Sequence, residues 1–72
     1  MKRYTMTSII NGEESTKTFL TRRSAIKKMT KFLTEKELQV DYVIKRDRDH
    51  FCEYVCQNGR DRVIIRRVKK GE

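Results

Sequence analysis

No proline and no tryptophan occur in these 72 residues, and there are only three glycines, two cysteines and one histidine. Each shortage excludes something. Without proline, every backbone N–H is available to a helix or a strand ladder, and no element must break at a fixed φ. A structural zinc site needs four convergent ligands, commonly Cys and His, and there is neither a second His nor a third Cys to complete one. Cys52 and Cys56 are expected in one strand, where a rise of about 3.3 Å per residue parts them by roughly 13 Å, beyond the ~7 Å Cα limit of a disulfide. They read as buried thiols that pack as small hydrophobes, and no metal or other cofactor is expected. No apolar run approaches the roughly 20 residues of a membrane span, and the basic start lacks the 7–15-residue apolar segment of a secretory signal. The expectation is a cytoplasmic protein with no membrane partner.

Acid is the other scarcity. Lys and Arg number 18 against 10 Asp and Glu, a formal net charge of +8. Two stretches hold most of the unanswered positive charge. Ser15 to Thr34 carries Lys17, Arg22, Arg23, Lys27, Lys28 and Lys31; Arg62 to Gly71 carries Arg62, Arg66, Arg67, Lys69 and Lys70. Such an imbalance repels itself, and a phosphate backbone or an acidic surface relieves it. Hydrophobic residues make up 36% of the chain and the mean hydropathy is −0.83. The apolar residues are grouped and periodic, so the chain is expected to fold as one domain over 1–72 with a thin core and a loose tail at 69–72.

Two Asn-Gly dipeptides, Asn11-Gly12 and Asn58-Gly59, lie between β-forming residues and predict two-residue type I′ hairpins. The first sets Tyr4 opposite Phe19 and Met6 opposite Lys17. The second sets Tyr54 opposite Val63 and Cys52 opposite Ile65. Between them, Ala25, Ile26, Met29, Phe32 and Leu33 recur at helical spacing and predict a helix from Thr21 or Ser24 to about Lys36, with its apolar stripe on the sheet. Lys27, Lys28 and Lys31 then point away. A further strand places Leu38, Val40, Tyr42 and Ile44 on the core face. An odd loop, Asp47-Arg48-Asp49, would pair Ile44 with Cys52 and Tyr42 with Tyr54. The predicted fold is α+β: a small antiparallel sheet of about five strands, ordered β-β-α-β-β-β, with one helix packed on one face.

That arrangement leaves a sheet face bare, with Phe51, Glu53, Val55, Arg62, Ile64 and Arg66 on it and Val43 and Lys45 beside them. Aromatic and Arg side chains on a sheet stack on unpaired bases while cations neutralise phosphates. The helix start, Thr21-Arg22-Arg23-Ser24 with Lys27 and Lys28, adds a basic cluster at a helix N-terminus, where amide donors favour an anion. The segment Tyr4 to Leu33 resembles the second half of a double-stranded-RNA-binding domain in Thr21, Arg22, Arg23, Ala25 and Lys27. The resemblance implies a hairpin leading into a phosphate-gripping helix. It covers under half of the chain, the family's preceding helix and strand are missing, and three strands follow the helix instead. The same segment is similar to the phage-integrase arm-binding modules, which read DNA with a sheet but end on their helix.

Catalytic groups are not assembled in the sequence. His50 is the only histidine, beside the expected Asp47-Arg48-Asp49 loop, and no third group would orient it against Cys52. Neither glycine dipeptide has the spacing of a nucleotide-binding loop. The sequence therefore predicts a non-catalytic module that binds DNA or RNA through Arg22, Arg23, Lys27, Lys28 and Lys31 on the helix and Phe51, Arg62, Arg66 and Arg67 on the last two strands. The alternative is a small adaptor or inhibitor of the kind phages and mobile elements encode, docking an acidic protein surface. The apolar last strand, with Val63, Ile64, Ile65 and Val68, is expected to seek protection at an edge by pairing with a second copy.

Overall fold

β1 (Arg3–Ile10) and β2 (Glu13–Phe19) form a hairpin around Asn11 and Gly12, whose φ values of 51° and 84° are the positive pair a type I′ turn requires. Tyr4 stands opposite Phe19 and Met6 opposite Lys17, as predicted. The computed structural model describes residues 3–48 and 50–68, so the tail expected at 69–72 and Asp49 of the expected loop lie outside the described residues.

α1 (Arg22–Glu35) begins at Thr21, which is extended and whose hydroxyl accepts the Ser24 amide at 3.1 Å, the arrangement of an N-cap. It ends in a Schellman motif. The Leu38 amide donates to Leu33 O at 3.0 Å and the Glu37 amide to Thr34 O at 3.2 Å. Glu37 closes that motif at φ 53°, where a side chain costs about 1–2 kcal/mol and glycine costs little. Glu37→Gly should stabilise the fold by about 0.5–1 kcal/mol after the entropy of the freer unfolded glycine is subtracted. A thermal melt followed by circular dichroism checks the sign.

β3 (Val40–Arg46), β4 (Phe51–Cys56) and β5 (Asp61–Val68) complete one antiparallel sheet in the spatial order β2-β1-β5-β4-β3. The fold is α+β, with the element order β-β-α-β-β-β. The helix lies across β1, β2 and β5. Between helix and sheet Tyr4, Met6, Ala25, Met29, Val63 and Ile65 form the buried cluster, with Phe19, Ile26, Phe32, Leu33 and Tyr54 packed around it. The helical stripe read from the sequence is the one that is buried.

Two expectations are corrected. The apolar last strand is no edge: β5 runs down the centre of the sheet between β1 and β4, with Met6 opposite Ile65 on one side and Cys52 opposite Ile65 on the other. Its ladder is already paired on both sides, which removes the route to a dimer through β5. The register of β3 also differs. Val40 does stand opposite Cys56, as an Ile44–Cys52 register requires, but the ladder then shifts at Asp41 and pairs Tyr42 with Val55, Val43 with Tyr54, and Lys45 with Cys52. The bulge inserts one residue, and because strand side chains alternate, everything after it changes face. Tyr42, Ile44 and Arg46 therefore join the bare face, while Val43 and Lys45 turn to the helix side. The β3–β4 connection spans 47–50 instead of 47–49. Asp47 and Arg48 both sit at φ 52°, and the His50 amide donates to Asp47 O at 2.9 Å.

The second Asn-Gly turn keeps its predicted register, with Tyr54 opposite Val63 and Cys52 opposite Ile65. Asn58 at φ 57° and Gly59 at φ 88° supply the positive pair, but Gln57 is also positive at 52° and the ladder resumes only at Cys56–Asp61. Outside contacts hold this wider turn. Asp41 at the bulge accepts the Asn58 amide at 2.6 Å, and Gln39 and Gln57 bond reciprocally at 2.9 and 3.1 Å. The bulge and the turn are one clasp.

Asp61 is fully buried where β5 begins, and its carboxylate accepts from Arg60 Nε at 3.2 Å, Arg60 Nη2 at 3.0 Å and the Asn11 amide at 3.1 Å. It ties the two hairpin tips together. The Arg60 hydrogen bonds, then the Asn11 amide, hold its carboxyl below the ordinary 3.8, while burial acts in the opposite direction and loses. A carboxyl lowered in the folded state gives stability that is present above 3.8 and is lost as pH falls through the folded value. Asp61→Asn should lower the urea midpoint at neutral pH and flatten its fall on acidification. An unchanged acid slope would mean that other carboxylates set it.

Candidate nucleic-acid interface

Strand pairing lays the bare face out as rows that cross the sheet. One row reads Thr18, Thr5, Arg66, Phe51, Arg46 from β2 to β3. The next reads Thr16, Thr7, Ile64, Glu53, Ile44, and the third Glu14, Ile9, Arg62, Val55, Tyr42. With strands about 4.8 Å apart, a five-strand row spans roughly 19 Å. Among the described residues no helix covers these rows, although Val55 in the third is itself fully buried.

The first row carries the most distinctive chemistry. Phe51 is half-buried and has an exposed arginine directly across from it on each side, Arg46 on β3 and Arg66 on β5. The Arg46 guanidinium carbon lies 5.8 Å from the Phe51 ring centroid, within cation–π range. Towards β2, a shallow trough of about 420 Å³ is lined by Thr5, Thr7, Thr16, Ile64, Arg66 and Phe51, among others. Its hydroxyls can donate or accept, and Thr7 and Thr16 already share a bond at 3.1 Å.

One acid on this face is already answered. Glu53 is largely buried and engages Arg62 at 2.6 Å, so those two answer each other. Glu14, in the third row on β2, lines the same trough as Arg66 and Phe51 and is the acid nearest to it. Arg46 and Arg66 are the arginines that flank the ring.

The predicted site residues divide between two sides of the molecule. Phe51, Arg62 and Arg66 share the bare face. Arg67 belongs to the opposite side, where it is mostly buried and meets Asp47 at 3.8 Å. On the helix, Arg23, Lys27 and Lys31 recur every fourth residue and form one outward ridge, with Lys31 3.8 Å from Glu35. Arg22 is half-buried on the stripe of Ile26, Met29 and Leu33, and Lys28 is half-buried on the other flank. The basic cluster at the helix start therefore fans out, and no single ligand surface holds all nine residues.

Sequence reasoning missed Arg46 and Tyr42, because an unbroken alternation put both on the covered side. Their signal was Asp41, a polar residue inside an apolar run, where a bulge changes the parity. Elsewhere, His50 Nδ1 shares a hydrogen bond with the Tyr4 hydroxyl at 3.1 Å, and no three of His, Cys, Asp and Glu come together in metal-binding geometry among the described residues. Cys52 and Cys56 are buried and unbridged, and burial, with Asp41 and Asp61 nearby, pushes the Cys56 thiol up. No protein-family model, curated protein or solved structure matches the chain.

Proposed function

We propose that the bare sheet face binds single-stranded nucleic acid without catalysing a reaction on it. The observation that carries this reading is the Arg46–Phe51–Arg66 row on an uncovered sheet. A ring between two guanidinium groups offers one unpaired base a stacking surface and offers the flanking phosphates two cations. Stacking of this kind is worth about 1–3 kcal/mol per base and tolerates any sequence. The hydroxyls of Thr5 and Thr18 extend the row as hydrogen-bonding groups. The helix ridge of Arg23, Lys27 and Lys31 lies on the other side of the sheet and acts through the field of the whole molecule, which raises the association rate and is screened by salt.

Fluorescence anisotropy with a labelled single-stranded oligonucleotide and its duplex, in DNA and RNA forms, tests the reading. The single strand should bind more tightly. Neutralising three phosphates would give a log–log salt slope of about −2. Absence of binding to every form at low salt would refute the proposal. A nuclease-resistant complex with an acidic protein would move the function to an adaptor.

A further inference from the structure

Two strands of the sheet have an unpaired side, β2 and β3, and they are unlike. β2 reads Glu13, Glu14, Ser15, Thr16, Lys17, Thr18, Phe19, so charge and hydroxyls guard nearly all of it. β3 reads Val40, Asp41, Tyr42, Val43, Ile44, Lys45, Arg46. Val40, Tyr42 and Val43 are 37%, 55% and 38% exposed. Proteins usually blunt such an edge with charge, proline or a bulge. Here the bulge lies at Asp41 and the cations at Lys45 and Arg46, and the stretch between them is regular and apolar.

We propose that two copies of this chain pair antiparallel along β3, about a twofold axis perpendicular to the sheet at Val43. The charges select that register. With the axis at Val43, Tyr42 faces the partner's Ile44 and Asp41 faces the partner's Lys45, so apolar residues meet in the middle and opposite charges close both ends. Moving the axis to Ile44 would set Val43 against the partner's Lys45 and carry Asp41 past the end of the partner's strand, with no ion pair. Moving it to Tyr42 would leave Asp41 against the partner's Val43, with no ion pair. A perpendicular twofold also keeps each face on its own side. The bare faces then join into one surface across ten strands, and the two helices stand on the same side, each over β1, β2 and β5 of its own copy. The net charge of each copy opposes association, an effect that salt weakens. The pairing stands on the edge alone and holds whether or not the bare face binds nucleic acid.

Light scattering at moderate salt, from micromolar to millimolar protein, should show the mass rising from 8.7 kDa toward twice that value. Val43→Glu sets two carboxylates face to face at the axis and should weaken the dimer by about tenfold or more. Directly opposed residues have Cα atoms about 4.5–5.5 Å apart, within disulfide reach. Val43→Cys should therefore cross-link through position 43 when treated with diamide, while the buried Cys52 and Cys56 do not react, and this variant decides the matter if the glutamate destabilises the fold. A monomer mass throughout, or a dimer that Val43→Glu leaves intact and Val43→Cys does not cross-link, overturns the proposal.

Discussion

Ile65→Ala should remove about 2–5 kcal/mol of stability, the range for truncating a buried isoleucine. Domains of this size have in total roughly 4–11 kcal/mol, at about 0.05–0.15 kcal/mol per residue. The variant should thus lose about a fifth of its stability or more, with a melting temperature lower by about 8 °C or more at 4–8 °C per kcal/mol. The size of the effect follows from position. Ile65 is 2% exposed and central, opposite Met6 on β1 and Cys52 on β4, and it belongs to the cluster under the helix. A cavity there lies between the two halves of the sheet. Leu20→Ala is the control: at 65% exposure it should change stability by no more than about 0.5 kcal/mol. Urea unfolding of both variants checks the contrast, and equal losses would contradict this placement of the core.

The second large effect concerns binding. Arg46→Ala with Arg66→Ala removes both cations beside the ring, and Phe51→Leu removes the stacking surface while leaving an apolar side chain. If single strands lie on the first row, Phe51→Leu should weaken binding by about 5- to 150-fold, the equivalent of 1–3 kcal/mol. The arginine pair should weaken every sequence alike and reduce the salt slope by about 1.4, at 0.7 per phosphate contact. Arg23→Ala with Lys27→Ala should change affinity less, since the ridge touches nothing bound to the other face. The reverse ranking, with the ridge dominant and Phe51 silent, would place the ligand on the helix.

Several of these features were legible in the chain because they are local. Each Asn-Gly pair specifies positive φ at two adjacent positions, and the registers of β1 with β2 and of β4 with β5 are those a turn centred there gives. The stripe from Ala25 to Leu33 marks the buried side of the helix, and Thr21 marks its start. Phe51 and Arg66 were readable as neighbours on one face for the same reason, since a single hairpin joins them. The β3–β4 connection has no such marker. Asp47 and Arg48 take left-handed φ values without a glycine, and the bulge at Asp41 is held by the Asn58 amide, 17 residues away.

By itself, then, the sequence determined the secondary elements, the two Asn-Gly registers, the α+β class and the excess of positive charge, because each follows from neighbours along the chain or from composition. Tertiary structure alone decided the rest. It put β5 at the centre, where Val63 and Ile65 gain a paired strand on both sides and a helix above. It also turned Arg46 toward Phe51 through one inserted residue. Strand order and face depend on which distant segments hydrogen-bond to one another, and long-range pairing is a property of the whole chain that no local pattern encodes.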